Sequence, residues 1–279
     1  MKKLLRNFID RFPKIASTYR YIRDSRHIHE EAKLTPMGFR FSGNMQMQDG
    51  RFEPEETLVV ERILNDADIV INVGANIGYY CCIALKRKKY VLAFEPIILN
   101  LRYLLQNIKN NAFEANIEVF PIALGNEAGV AKIYGGGTGA SIVEGWAGTA
   151  NNQFNLVPIN TLNNIVGRRF TGQRCFILVD IEGYELPMLR GSSILLHMDP
   201  KPVWMIEISI TEHQPVGVQI NPALIETFKV FWDAGYEAMT ASNPPKLVTP
   251  QEIQSIVDTR VDTLNTHNFI FTHSNINGY

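Results

Sequence analysis

Cysteine is scarce in this chain. Only Cys81, Cys82 and Cys175 occur among 279 residues. The odd count and the lack of a C-x-x-C spacing exclude a disulfide framework and a cysteine-built zinc site. Three reduced core thiols in a cytoplasmic protein are the expectation. Long apolar runs are missing too, so no segment reads as a bilayer-spanning helix. The basic start of the chain lacks the apolar core of a secretory signal, because Arg6, Asp10, Arg11 and Lys14 interrupt it. Net charge is only −1, which removes any overall pull towards nucleic acid. There are no internal repeats and no low-complexity tracts. What remains is an ordinary globular composition, long enough for one large domain with an extension.

One stretch organises the rest. Ile69 to Val73 is a nearly unbroken apolar, β-branched run, the pattern of a buried parallel strand. It leads into Gly74-Ala75-Asn76-Ile77-Gly78, and a helix is expected over 79–86. A strand that turns through glycines into a helix N-terminus makes a ligand site. Glycine lets backbone approach a bound molecule, and the first-turn amides have no partner inside the helix.

Upstream, residues 1–30 read as a helix broken near Pro13, with eight basic residues against Asp10 and Asp24 on its polar face. The favoured reading is an arm, residues 1–50 with short β segments over 36–52, that packs on the main domain (51–279) or on a second subunit in a homo-oligomer. Peripheral membrane contact through residues 1–26 is the weaker alternative. Pro54 opens a helix that feeds the organising strand.

Downstream, strands and helices alternate. Strands are expected at 90–94, 117–124, 130–134, 154–159, 175–179, 203–208, 236–240 and 268–272. Helices are expected at 99–110, 161–166, 185–190 and 222–234, the 99–110 helix burying Leu101, Leu104, Leu105 and Ile108. This order implies an α/β fold, a mostly parallel sheet covered by helices on both faces. Ligands in such sheets sit at the carboxyl ends of the strands. Those ends carry Asn72 to Gly78, then Glu95-Pro96, then Asp180-Ile181-Glu182-Gly183-Tyr184-Glu185. A carboxylate ending the strand beside a glycine turn is placed to accept hydrogen bonds from both ribose hydroxyls. The turn lacks the middle glycine of the G-x-G-x-x-G dinucleotide fingerprint, Asn76 standing there instead. A cofactor with a ribose but no pyrophosphate fits better, and S-adenosylmethionine (SAM) is such a cofactor. A nicotinamide oxidoreductase is the rival reading.

Asn72 to Gly78, Phe94-Glu95-Pro96, the helix carrying Asn107 and Asn110, Ala123-Leu124-Gly125 and the Asp180–Glu185 block together resemble the FkbM family of SAM-dependent methyltransferases, from about residue 50 to about residue 240. The resemblance implies a class I, Rossmann-like methyltransferase fold with seven strands, the last antiparallel. It implies O-methylation of a sugar, glycan or secondary-metabolite hydroxyl. It also implies cofactor contacts at Asn72, Gly74, Ala75, Asn76, Gly78, Glu95, Pro96, Ala123 and Asp180. Asp180 leads as the acceptor's base, followed by Glu182, Glu207 and His213, with Asp180 ionised at neutral pH. No metal is expected, since no histidine accompanies the acids of the block. Three positions depart from the family's pattern: Asn72 and Asn163 where aspartate is usual, and Leu178 where lysine often stands. These departures motivate a further alternative, a non-catalytic SAM-binding partner protein. The glycine-rich segment 135–153 is expected to cover the acceptor site. Trp146 within it reads as packing or as a platform for a sugar ring.

Overall fold

The structure, a computed structural model, describes residues 31–273. The helix expected over 1–30 and the membrane contact assigned to 1–26 lie outside the described residues. Over 36–52 the expected β segments form only in part. Strand β1 (Lys33–Leu34) pairs with β2 (Arg40–Phe41), and a short helix, α1 (Met45–Gln48), follows. The Asn44 side-chain oxygen starts that helix by accepting from the Gln46 amide at 2.8 Å, the usual work of an N-cap asparagine. Helix α2 (Pro54–Asp66) has proline in its first turn beside Glu55 and Glu56, and it buries Val59, Val60, Ile63 and Leu64.

Strand β3 (Ile69–Val73), helix α3 (Tyr79–Lys86), strand β4 (Tyr90–Phe94), helix α4 (Ile98–Lys109) and strand β5 (Ile117–Phe120) then run as expected. The strand expected over 117–124 stops at Phe120. Pro121 has no N–H with which to continue a ladder. Strand β6 (Ala123–Leu124) instead joins β7 (Gly129–Tyr134) and β8 (Phe154–Asn160) in a separate three-stranded sheet. Helix α5 (Leu162–Ile165), strand β9 (Cys175–Val179), helices α6 (Glu185–Arg190) and α7 (Ser193–Leu196), strand β10 (Val203–Glu207), helix α8 (Leu224–Asp233), strands β11 (Glu237–Thr240) and β12 (Leu247–Val248), helix α9 (Pro250–Thr259) and strand β13 (Asn268–Thr272) complete the described chain.

The main sheet has eight strands in the order β12-β11-β13-β10-β9-β3-β4-β5. Strands β10, β9, β3, β4 and β5 are mutually parallel, and β13 inserts antiparallel between β10 and β11. Seven of these strands form the expected class I arrangement, and β12 adds a two-residue edge. All five residues of β3 and all five of β9 are buried, because helices cover both faces. Ile69, Ile71 and Val73 pack on one side with Ile177, Trp204 and Phe231, and Val70 packs on the other with Val91, Phe176 and Met205.

Helix α4 is turned differently from the expectation. Leu105 is 48% exposed, while the amide side chains of Asn100 and Asn107 point inward. Polar partners explain the rotation. Asn107 accepts from the Ser42 amide at 2.9 Å and donates to the carbonyls of Ile77 (2.9 Å) and Ser42 (3.1 Å). It ties the segment before α2 to the glycine turn, and a buried amide so satisfied costs little.

Register decides what faces the site. Val73 lies opposite both Phe94 and Val179, and Ile206 lies opposite Val179. The next residues, Gly74, Glu95, Asp180 and Glu207, therefore emerge side by side at one edge of the sheet.

Candidate active site

The turn after β3 is built by close approach. Gly74 has φ +82°, and a Cβ placed there would fall 1.8 Å from the Asp180 carbonyl oxygen. Its N–H and that of Ala75 both donate to the Phe94 carbonyl, at 3.0 and 2.9 Å. Asn76 takes a left-handed conformation, φ +49°, which asparagine tolerates better than most residues. Its N–H donates to Glu95 Oε2 at 2.7 Å. The other Glu95 oxygen accepts from the Ile97 N–H at 2.7 Å and, more weakly, from Asn100 Nδ2 at 3.4 Å. Glu95 thus joins the start of α3 to the start of α4. Its burial pushes its pKa up to about 7, against the lowering effect of those three hydrogen bonds.

A cavity opens over this edge of the sheet. Of the residues expected to touch the cofactor, Gly74, Asn76, Glu95, Pro96, Ala123 and Asp180 line it. Asn72, Ala75 and Gly78 stand behind the wall. Asn72 is buried within β3 and donates through Nδ2 to Cys81 Sγ at 3.3 Å. A Cβ at Gly78 would meet Leu104 at 3.2 Å, so that glycine sets the α3–α4 packing. The side-chain oxygen of Asn76 is occluded and has no hydrogen-bond partner among the described residues. An orphaned acceptor in the wall, a glycine cradle and a buried carboxylate together suit a ligand rich in hydroxyl or ammonium donors. The residues present therefore fit SAM.

Asp180 directly follows β9, and its N–H donates to the Val73 carbonyl at 3.0 Å. Among the described residues its side chain has no hydrogen-bond partner. Burial raises its pKa well above the usual carboxylate range, and the charges of Glu182, Glu53, Glu185 and Glu95 add to the effect. The expectation that Asp180 is ionised at neutral pH weighed burial against the positive sulfonium of a bound cofactor and left out four neighbouring acids, which push in the same direction as burial. Glu185, at the start of α6, accepts from the Gly183 N–H at 2.9 Å, and burial pushes it up to about 7.

Glu182 also lines the cavity, in a left-handed conformation with φ +56°. Segment 135–153 holds it there. Trp146 Nε1 donates to Glu182 Oε2 at 2.7 Å, and the Ser141 hydroxyl donates to the Glu182 carbonyl at 2.5 Å. The Trp146 ring lies where a Cβ on Gly183 would fall, 2.4 Å from its nearest atom. Trp146 is buried and hydrogen-bonded, so it is not the open platform for a sugar ring that the sequence allows. His213 stands outside the cavity, its side chain 52% exposed, with Nδ1 3.9 Å from Glu182 Oε2. Glu207 faces a second, smaller cavity that shares Asp180 as a wall. Asn100, Glu53 and Tyr80 were not foreseen around the two cavities. Among the departures, Asn163 caps α7, accepting from the Ile194 N–H at 2.9 Å, and Leu178 lines the second cavity.

A pH dependence of stability follows. Burial raises the folded pKa values of Glu95 and Glu185 to about 7 from the ordinary glutamate value of 4.5. Between these values the folded state keeps protons that the unfolded state releases, so stability falls as pH rises through the window. Thermal melts from pH 5 to pH 8 should show a falling midpoint, and Glu185→Gln should flatten the slope. A rising midpoint in wild type would contradict the assignment.

The sequence model described as "Methyltransferase FkbM domain" matches residues 72–238, from the end of β3 into β11. A solved FkbM methyltransferase from Methylobacillus flagellatus KT is 19% identical, with a TM-score of 0.44, covering 74% of this chain and 44% of its own. A precorrin-6Y C5,15-methyltransferase from Geobacter metallireducens GS-15 is 10% identical, with a TM-score of 0.39, covering 83% and 92%. An O-methyltransferase from Bacillus cereus in complex with SAH is 9% identical, with a TM-score of 0.42, covering 78% and 79%. The chain thus spans less than half the length of the FkbM structure. No curated protein matches. Because the family's domain model covers more than half of the residues, and covers those that build the cavity, the chain belongs to the FkbM methyltransferase family.

Proposed function

We propose that this chain is a SAM-dependent O-methyltransferase whose acceptor is a hydroxyl of a small molecule, a sugar, a glycan or a secondary metabolite. One observation carries the reading. Glu95, 3% exposed, directly follows β4 beside the Gly74–Gly78 turn and lines the cavity, where its remaining lone pairs suit a ribose diol. When bound, SAM supplies a methyl group already activated on a sulfonium. The chain's own work is then alignment and proton removal. Glu95 and Asn76 hold the ribose side, Gly74 admits the ligand to backbone distance, and Pro96 and Ala123 border the base. Asp180 stands between the two cavities and takes the acceptor's proton. Glu182, fixed by Trp146, closes the rim. Asp180 serves this role once ligand has displaced water and a positive charge beside it has lowered its pKa. All three thiols are free and buried, in keeping with a cytoplasmic setting. Among the described residues no helix is long and apolar enough to cross a membrane.

Thermal-shift titration separates this reading from a nicotinamide enzyme. SAM and S-adenosylhomocysteine (SAH) are expected to raise the melting temperature in a saturable way, and NAD is expected to leave it unchanged. Stabilisation by NAD alone would overturn the proposal.

A further inference from the structure

Residues 135–153 supply one wall of the cofactor cavity, through Gly137, Ala140 and Ile142. Behind that wall stand groups that a ligand has to reach. Glu95 is 3% exposed and Asn100 5%, so little of either is offered to a ligand while the wall is in place. The wall is tied to side chains at two ends of the cavity. Asn100 Nδ2 donates to the Gly137 carbonyl at 3.1 Å and lies 3.4 Å from Glu95 Oε1. At the other end the Ser141 hydroxyl and Trp146 Nε1 hold Glu182.

The Glu182 end is strained. Three non-glycine residues there hold left-handed backbone: Ala147 (φ +50°), Glu182 (φ +56°) and His213 (φ +60°). Contacts join them. The Ala147 N–H donates to the His213 carbonyl at 2.7 Å, and His213 Nδ1 lies 3.9 Å from the same Glu182 oxygen that Trp146 holds. Such backbone persists only where the surroundings enforce it, and it gathers at sites that switch. The other end is jointed. Gly136 is extended, with φ −175°, and Gly139 lacks the positive φ that favours glycine. A Cβ on either would meet nothing within 4 Å. The conformation seen therefore needs neither glycine, while each costs entropy to order. A second conformation of the segment accounts for both.

We infer that residues 135–153 are a gated cover, which swings on Gly136 and Gly139 and is locked shut by the Trp146–Glu182–His213 contact. Its opening admits the ligands, and its closing sets the Glu182 rim. The inference rests on the methyl-donor reading of the cavity, although the lock itself belongs to the ligand-free chain. Trp146 is a positioning residue here, acting on the ligands through Glu182. The lock is made by protein groups alone, so it holds the empty and the filled cavity equally. Weakening it raises the open fraction of both, and ligand entry and exit quicken together at constant affinity. Stiffening the joint does the reverse, since alanine removes open conformations that glycine allows.

Surface plasmon resonance with SAH, and hydrogen-exchange mass spectrometry of the ligand-free chain, test this on wild type and two variants. Trp146→Phe keeps a ring over Gly183 and loses the donor to Glu182. It is expected to raise the association and dissociation rate constants of SAH by about tenfold each, with the dissociation constant held within about threefold. The double variant Gly136→Ala with Gly139→Ala should lower both rate constants by about threefold, again at constant affinity. Exchange over 135–153 in the ligand-free chain should quicken about tenfold in the first variant and slow about threefold in the second. Unchanged rate constants and exchange in either folded variant would overturn the inference. So would a loss of SAH affinity in Trp146→Phe carried by dissociation alone, since Trp146 would then only brace the cavity wall. If Trp146→Phe does not fold, the double alanine variant decides. Failure of wild type to bind SAH contradicts the methyl-donor reading instead, and exchange in the ligand-free chain still reads the cover.

Discussion

Replacing Gly74 with alanine is expected to destabilise the protein by at least about 3 kcal/mol and to abolish SAH binding. Two independent costs coincide at this residue. The backbone has φ +82°, where any side chain is strained. The added Cβ would also sit 1.8 Å from the Asp180 carbonyl oxygen, which is backbone and has no rotamer to change. Relief requires β3 and β9 to part at their carboxyl ends. That movement would break the Asp180 N–H bond to the Val73 carbonyl and move Asp180 out of the cavity wall. Gly129→Ala is the control, because a Cβ there meets nothing within 4 Å and should change stability by no more than about 0.5 kcal/mol. Urea denaturation of both variants checks the difference. Equal stability would mean that the turn relaxes easily and the close approach is incidental.

Asp180→Asn is expected to leave SAH affinity within a few-fold while methyl transfer falls by about 10²- to 10⁴-fold. Among the described residues the side chain has no hydrogen-bond partner to lose, so the fold should tolerate the amide. The charge repulsion among Asp180, Glu207, Glu53 and Glu182 also drops, and the melting temperature should rise or hold. A more stable, donor-competent but slow variant is the signature of a group kept in the site for chemistry. Release of SAH during turnover, followed by mass spectrometry with the acceptor in hand, measures the rate. Normal turnover would reduce Asp180 to a residue that only shapes the turn, and the base would then be sought at Glu207 or Glu182.

The sheet and the cofactor edge were legible because the relevant signals are local. A parallel strand buried on both faces is a continuous apolar run, and β3 and β9 are written that way. The glycine turn and the acids that follow the strands are short motifs at strand ends. Helix α9 was legible but unread. Thr249, Pro250 and Glu252 are a cap, a first-turn proline and a capping-box acid, and Thr249 Oγ1 accepts from the Glu252 N–H at 3.2 Å. Other features were not legible, because they depend on contacts across long sequence separations. Trp146 meets Glu182 across 36 positions, and nothing near either residue announces the pair. Asn107 looks like an exposed helical asparagine until Ser42 and Ile77 are placed against it. The second cavity draws Glu53 and Asn268 from opposite ends of the described chain. The acids around Asp180 are unremarkable singly, and only their gathering adds to the upward push that burial gives its pKa.

The most direct measurement is a calorimetric titration of wild type and Glu95→Ala with SAH. Wild type is expected to bind one SAH per chain. The variant, with its fold checked by circular dichroism, is expected to bind at least about tenfold more weakly, because a buried carboxylate that accepts from the ribose is gone. Glu95→Gln, which keeps the shape and loses the charge, should fall between the two. An unchanged dissociation constant in a correctly folded Glu95→Ala protein, or no binding of SAH by wild type, would contradict the account of the first cavity.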